Sequence, residues 1–378
     1  MSGTRPPVAP RDSVALMDGY HSPQLDVEVR LNTNESPEPP PVAFTAALAN
    51  ALGDIAWNRY PDRAAGALRA RVGALHGVGA DEVFCANGSN EVLATVAQAY
   101  GGPGRTAVVF EPTYALHGHL AGLAGTTVVA GERRDDFTVD PGAAVALIGE
   151  VQPSLVFVCS PNNPTGTVED PATVRAIADA AASVGALVVV DEAYAQFADD
   201  TALDLVANDA PVVVTRTFSK TWSLAALRLG YLVGPRWLVA ELDKVALPYH
   251  LDAVTQAAGL IALDHVADME ARVARVVAER TRVAAGLSGL GATVWPSGAN
   301  FVLFRPPAPT SGSGSPGGPG GDADGGWATT VWERLVGDSV LVRDCSSWPS
   351  LGGCLRVTVG TPGENDRFLA ALARAVAQ

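Results

Sequence analysis

The amino-acid sequence predicts an α/β fold, with a mostly parallel seven-stranded sheet covered by helices on both faces and a smaller α+β lobe beside it. Between about residues 83 and 234, short β-branched runs alternate with Ala-rich helical stretches, the pattern of strands joined by helical crossovers. Those runs are almost continuously apolar, as strands covered on both faces must be. The length of 378 residues exceeds one average domain and is short for three, which suits one large lobe and one small one.

The seven predicted strands are 83–86, 106–110, 126–130, 155–159, 186–191, 211–216 and 227–233. A long Ala/Val/Arg pattern from about Asp264 to Leu290 reads as a linking helix. Beyond it, short strands at 293–295, 301–304, 340–342 and 355–359 and a last helix from about Glu364 to Ala377 make the smaller lobe. Before the linking helix lies the large lobe, and before that a Pro-rich, aperiodic start that reads as an arm ordered by packing on something else. The expected division is an arm at 1–40 joining the small lobe, a large lobe at 41–270, and a small lobe at 271–378. The small lobe contains a Gly/Pro/Ser-rich surface insertion at 307–326, too poor in apolar residues to form core.

Composition narrows the function. Apolar residues make up 48% of the chain and charged residues 17%, which places it with globular proteins rather than disordered ones. A formal net charge of -14 argues against nucleic-acid or anionic-membrane partners, so any anionic ligand must be held by a few local cations. No stretch approaches the roughly 20 apolar residues of a membrane span, and the start lacks the apolar core of a secretion signal; the expected location is the cytoplasm. Four cysteines are too few for a disulfide framework, and Cys85, Cys159, Cys345 and Cys354 all read as free thiols. His117 and His119 lack accompanying ligands at metal spacing and read as helix-surface histidines; no metal is expected. Lysine is nearly absent: only Lys220 and Lys244 occur, and the other 24 basic residues are arginine. An amine that becomes an imine cannot be replaced by a guanidinium, so a lysine retained inside a motif carries weight.

In open parallel sheets, ligands bind beyond the carboxyl ends of the strands. Five predicted strands deliver polar loops there: Asn87-Gly88-Ser89-Asn90, Glu111-Pro112-Thr113-Tyr114, Ser160-Pro161-Asn162-Asn163-Pro164-Thr165-Gly166, Asp191-Glu192-Ala193-Tyr194 and Thr217-Phe218-Ser219-Lys220. Each has an ordinary structural reading alone: a helix cap, a turn, a strand-end cap, a packing aromatic, a surface charge. Together they fit one ligand, pyridoxal phosphate, which needs an amine for an imine, a carboxylate for its pyridine nitrogen, donors for its ring oxygen, an aromatic face and an anion site. Lys220 supplies the amine and Asp191 the carboxylate. Asn163 and Tyr194 suit the ring oxygen, and Tyr114 suits the ring face. Gly88, Ser89 and Asn90 at a helix start, with Thr217, Ser219 and Arg228, suit the phosphate. Lys244, within Glu241-Leu242-Asp243-Lys244, reads as the surface lysine.

Over nearly its whole length the sequence resembles the fold-type-I aminotransferases, and within them most closely the histidinol-phosphate aminotransferases. The resemblance rests on Leu31-Asn32-Thr33-Asn34-Glu35, Arg59-Tyr60-Pro61-Asp62, Asn87-Gly88-Ser89-Asn90-Glu91, Pro161-Asn162-Asn163-Pro164-Thr165-Gly166, Asp191-Glu192-Ala193-Tyr194, Ser219-Lys220, Leu247-Pro248-Tyr249-His250, Val342-Arg343-Asp344, Leu355-Arg356-Val357-Thr358-Val359-Gly360 and Gly363-Glu364-Asn365-Asp366-Arg367-Phe368. It implies an aspartate-aminotransferase-like fold and a homodimer in which Tyr60 reaches the cofactor phosphate of the partner subunit. It also implies a substrate site in which Arg356 clamps the carboxylate, Arg343 and Tyr20 help hold the phosphate of histidinol phosphate, and Asn34 lines the pocket. The substrates implied are a small amino donor and a 2-oxo acid, histidinol phosphate and 2-oxoglutarate. Aromatic amino-acid transamination and threonine-phosphate decarboxylation share the same cofactor site and remain alternatives. A non-catalytic pyridoxal-binding regulator is a further one, disfavoured by the short arm and acidic charge. Two departures stand out: Ser36-Pro37-Glu38 replaces the family's usual Asn-Pro-Tyr and is expected to put an acid at the pocket mouth, and Ala226 stands where glycine is common.

Overall fold

The seven predicted strands all form and all enter one sheet. They are β1 (Val83–Ala86), β2 (Thr106–Glu111), β3 (Thr127–Glu132), β4 (Leu155–Cys159), β5 (Leu187–Asp191), β6 (Val212–Thr217) and β7 (Gly230–Val233), in the spatial order β1-β7-β6-β5-β4-β2-β3. The computed structural model describes residues 8–15, 19, 23–206, 210–308 and 323–377. Tyr20 and the insertion from 309 to 322 therefore lie outside the described residues.

The apolar runs divide by strict alternation. Cys85, Val108, Phe110, Val156, Val158, Val188, Val190, Val212 and Val214 enter one core with the helices Gly66–His76, Pro141–Val151, Pro171–Ser183 and Ala253–Ala262. Their neighbours Phe84, Val109, Leu155, Phe157, Leu187, Val189, Val213 and Leu232 enter the other core, with the helices Gly88–Tyr100 and Arg236–Val245. Successive side chains on a strand point to opposite faces, so covering both faces requires apolar residues at every position.

Only β7 runs against its neighbours, antiparallel to both β1 and β6. Its beginning therefore lies at the edge where the other strands end, and Arg228 is carried there. β7 starts three residues later than the 227–233 run suggests, because Ala225–Leu227 form a 3-10 turn and Arg228 takes a left-handed φ of 54°. This reversal also demands a close approach: Gly230 pairs with both Ala86 and Thr217.

The linking helix, Val266–Gly289, is 24 residues long and so spans about 36 Å. Met269 belongs to the large-sheet core, whereas Val283 and Leu287 belong to a second core with Val302, Phe304, Leu355, Val357 and Phe368. That second core packs on a four-stranded antiparallel sheet of 343–344, 355–358, 301–305 and 293–294. Val29–Arg30 pairs in parallel with Val340–Leu341, and Val29 and Leu31 are buried with it. A helix not expected from the sequence, Ala323–Gly337, begins inside the expected insertion at 307–326. Ala328, Val331 and Leu335, at helical spacing, bury its inner face, but the Gly- and Asp-rich first turn conceals the pattern.

A Cβ placed on Gly230 would stand 2.2 Å from the Ser89 amide nitrogen and 2.4 Å from the Gly88 carbonyl carbon, both backbone atoms. We expect Gly230→Ala to lower stability by about 1–3 kcal/mol, read as a shift in the urea midpoint, because backbone must move to admit the methyl. A midpoint equal to wild type would contradict this account of the β1–β7 junction.

Candidate active site

The five polar loops converge on one cavity of about 390 Å³ at the carboxyl edge of the large sheet. Residues of the second sheet, Arg343 and Arg356, close its far side. A cleft of about 580 Å³ beside Asp136, Phe197 and Arg280 is larger but contains none of the predicted residues, so size does not mark the site.

Lys220 stands on a loop braced from below. Phe218 and Trp222 are buried and stack with centroids 5.2 Å apart, the Phe218 amide donates to the Leu229 carbonyl at 2.9 Å, and the Ser219 amide donates to Thr217 Oγ1 at 3.1 Å. The lysine side chain is thereby turned into the cavity, where Nζ donates to the Thr33 carbonyl at 3.2 Å. Burial pushes its pKa down from 10.5 to about 8, the Arg356 and Arg228 charges act in the same direction, and Glu35 opposes them. Between pH 8 and 10.5 the unfolded chain holds a proton that the folded chain has released. Stability therefore rises with pH across that window, and below about 8 the buried ammonium costs stability.

Asp191 ends β5 and is almost fully buried. Its Oδ1 accepts from the Ala193 amide at 3.1 Å and from Thr215 Oγ1 at 3.3 Å, and its Oδ2 lies 3.0 Å from His117 Nε2. His117 is therefore not a helix-surface residue. It is fully buried, with its ring stacked on Phe157 at 5.2 Å. It lies three residues after Tyr114, one helical turn deeper, and that spacing was the available signal. Cys159 joins His117 and Asp191, with one ligand atom from each within 4.8 Å of the others. Burial, then the Asp191 charge, pushes the Cys159 thiol upward, so it remains a neutral thiol and a poor metal ligand.

Tyr194 is buried, burial pushes its phenol up, and its hydroxyl accepts from Asn34 Nδ2 at 3.0 Å. Asn163 Oδ1 accepts from Arg356 Nη1. At the anion end, Ser89 and Asn90 open the helix Gly88–Tyr100, and Tyr114 donates to Asn90 Oδ1 at 3.1 Å. Arg228 Nη1 donates to Ser219 Oγ at 3.3 Å and to the Ala225 carbonyl at 3.0 Å, and Thr217 Oγ1 donates to Ser219 Oγ at 3.0 Å. Gly88 does not line the cavity itself. Its φ is 79°, and a Cβ there would meet Arg228 Nη2 at 2.8 Å, so glycine lets the guanidinium lie against the helix start.

Arg343 and Arg356 are direct cross-strand partners, so their side chains leave the sheet on the same face. Arg356 Nη2 donates to the Asn32 carbonyl at 3.1 Å, and its guanidinium lies 5.0 Å from the Phe301 ring centre; that of Arg343 lies 5.3 Å from Trp348. Like charges placed opposite one another destabilise a sheet unless an anion offsets them. Thr33, Glu35, Ala226 and Trp348 also line the cavity, and of these Trp348 carried no signal in the sequence. Glu38, expected at the mouth, instead accepts from Arg275 Nε and Nη2 at 2.8 and 2.5 Å and is absent from the cavity wall. Tyr60 is 79% exposed, stacked on Tyr249 at 4.4 Å, and is likewise not on the wall.

Similarity to known proteins agrees with this geometry. The family described as aminotransferase class I and II matches residues 27–372. A histidinol-phosphate aminotransferase of Frankia casuarinae is 44% identical, the match covering 96% of this chain and 89% of that protein. One of Streptomyces avermitilis is 43% identical, with 96% and 95% covered. Among solved structures, the histidinol-phosphate aminotransferase of Sinorhizobium meliloti in complex with pyridoxal-5'-phosphate superposes with a TM-score of 0.82 at 24% identity, covering 93% of this chain and 91% of that one, a likeness of fold. On these matches, the chain belongs to the class I and II aminotransferases and, within them, to the histidinol-phosphate aminotransferases.

Proposed function

We propose that this protein binds pyridoxal phosphate at Lys220 and transfers the amino group of histidinol phosphate to 2-oxoglutarate, giving imidazole-acetol phosphate and glutamate, a step of histidine biosynthesis. The observation that carries the reading is a buried amine and a buried carboxylate on the walls of one cavity, with a helix start and an arginine at one end and two opposed arginines at the other. The residues fit the cofactor. Asp191 is held by three partners as a fixed acceptor for a ring N–H, and the glycine at 88 leaves room for Arg228 beside a phosphate.

When bound, pyridoxal phosphate supplies an aldehyde that takes up the amino group and a pyridinium ring that accepts the electron pair left by the departing α-proton. Asp191 keeps the ring nitrogen protonated, and a hydrogen bond to its charge contributes about 1.5–3 kcal/mol. Lys220 Nζ, a free base over part of its population near neutral pH, carries the α-proton. The Tyr194 hydroxyl and Asn163 amide orient the ring oxygen, and Tyr114 covers the ring. Ser89, Asn90, Thr217, Ser219 and Arg228 hold the phosphate. Arg356 clamps the carboxylate of the keto acid and its product, and Arg343, with Tyr20, takes the phosphate of the donor. Asn34 positions the phenol of Tyr194.

The assembly proposed is a cytoplasmic homodimer. In support, Tyr60, Trp57, Leu247 and Tyr249 are large apolar side chains left 40–79% exposed around one stacked tyrosine pair, a surface that suits a second copy and would deliver Tyr60 to its phosphate. Among the described residues no helix is long and apolar enough to cross a membrane. The division at 1–40, 41–270 and 271–378 has the support of separate cores on the two sheets.

The first test is an absorbance scan of the purified protein titrated with histidinol phosphate. The band of the lysine-linked cofactor should fall as donor is added and should be missing from Lys220→Ala. A band that persists in that variant, or one indifferent to the donor, would reject the assignment. A second test uses the cofactor-free chain: acylation of Lys220, followed by mass spectrometry with Lys244 as the surface comparison, should accelerate with rising pH and be half-maximal near pH 8, because only the free base reacts. A midpoint near 10.5 would show that the cavity does not depress this amine. Third, His117→Ala removes one of the three partners of Asp191, and we expect kcat to fall about tenfold or more with the fold retained. An unchanged kcat would remove His117 from the site.

A further inference from the structure

The segment 32–38 crosses between the two cores beside Lys220. On the small-lobe side the Thr358 amide donates to the Leu31 carbonyl at 2.9 Å, and Asn300 Nδ2 donates to the Asn34 carbonyl at 3.1 Å. On the large-lobe side, Lys220 Nζ donates to the Thr33 carbonyl at 3.2 Å, and Ser223 Oγ donates to Ser36 Oγ at 2.7 Å. Two non-glycine residues at the crossing, Asn34 and Ser223, take left-handed φ values of 54° and 58°. Such conformations persist only where surrounding contacts hold them.

Glu38 ends this strap and joins it to the linking helix. Its two oxygens accept from the half-exposed Arg275. One turn earlier on the same helix stands Arg272, only 5% exposed, with Nε 4.0 Å from Glu38 Oε2 and, among the described residues, no hydrogen-bond partner for that Nε. Nη1 of Arg272 donates to the Thr221 carbonyl at 3.0 Å, and Thr221 follows Lys220 directly. A buried guanidinium requires a counter-charge, and removing that charge from a buried pair is more damaging than losing an exposed one. Burial pulls Arg272 down, and Glu38 heads the charges that oppose it, followed by Asp268 against Arg275. The acid that departs from the family's usual Asn-Pro-Tyr thus lies beside the arginine that bonds the Thr221 carbonyl.

We propose that Glu38 is a positioning residue for Lys220: as the counter-charge of the buried Arg272 it fixes the carbonyl of Thr221, the residue that follows the lysine. This rests on the reading that Lys220 bonds the cofactor aldehyde. Two cofactor forms separate positioning from general support. Pyridoxal phosphate bonds to Lys220, whereas pyridoxamine phosphate carries an amine in place of the aldehyde and binds through phosphate, ring and Asp191 alone.

The experiment measures the affinity of the cofactor-free full-length chain for both forms in wild type, Glu38→Gln and Arg275→Ala, with the thermal midpoint of each. Glu38→Gln should weaken pyridoxal phosphate about tenfold and change pyridoxamine phosphate less than about twofold. Arg275→Ala, which leaves Glu38 beside Arg272, should keep the wild-type ratio. An unchanged ratio in Glu38→Gln, whatever happens to the separate affinities or the midpoint, overturns the proposal, as does an equal change of ratio in Arg275→Ala. A wild type that binds the two forms equally removes the lysine reading itself, and this inference falls with it.

Discussion

Everything in this site depends on keeping a buried carboxylate and a buried amine apart. Asp191 and Lys220 line the same cavity, and opposite charges at low dielectric attract one another. The cavity persists because each group is satisfied by its own neighbours: Asp191 by His117, the Ala193 amide and Thr215, and Lys220 by the Thr33 carbonyl. The partners differ in kind. Asp191 is gripped by three groups from β6, from its own following turn and from a buried helix, and is rigid. Lys220 has one hydrogen bond, to a backbone carbonyl, the Tyr194 ring 5.8 Å from Nζ, and a depressed pKa, which leaves it able to lose its proton.

The fold builds this separation with one reversed strand and one crossing segment. Reversal of β7 brings Arg228 to the edge where β1 and β6 end, and Gly230 allows its backbone to touch the Gly88–Ser89 turn. An anion end therefore forms at a helix start without a lysine to serve it, and among the described residues Lys220 is the one lysine on the cavity wall. The strap at 32–38 then closes the other side, contributing a carbonyl to the lysine and an amide to Tyr194. The strap leaves the small-lobe core at Leu31 and offers its Thr33 carbonyl to Lys220 Nζ, so one segment joins that core to the amine.

Much of this was legible in the sequence for a specific reason. Strands buried on both faces must be apolar at every position, which made six of the runs visible; the edge strand Thr127–Glu132, half-buried or exposed throughout, showed by its β-branched residues, and the polar loops that follow the strands were anomalous enough to be noticed. The convergence of Lys220, Asp191, Tyr194, Asn163, Ser89, Asn90 and Arg228 follows from the rule that such sheets place ligands at one edge. What escaped depends on contacts between distant residues. His117 looks like any helical histidine until Phe157 and Asp191 are known to enclose it. Glu38 looks like a mouth acid until Arg275 and Arg272 are found beside it. The helix Ala323–Gly337 was hidden because its first turn shares the Gly-rich composition of the segment before it. Local sequence reports which faces are buried; it does not report which charge meets which.

The opposed arginines show why the site uses guanidinium where an ammonium would carry the same charge. In the proposed reaction one pocket must accept in turn a donor bearing a phosphate and a keto acid bearing carboxylates. A guanidinium presents planar pairs of N–H donors that match either anion in two-point geometry, whereas an ammonium offers only a compact charge. Phe301 and Trp348 lie against Arg356 and Arg343, and an aromatic face stabilises a cation without occupying any of its N–H donors. Arg356 gives one nitrogen to Asn163 and another to the Asn32 carbonyl, which fix its plane, while its buried Nε has no partner among the described residues. The cross-strand register that sets these two charges face to face is unfavourable for the sheet alone. In the proposed reaction an anionic substrate lying against both guanidiniums offsets that repulsion, so a register costly to the sheet is suited to the ligand.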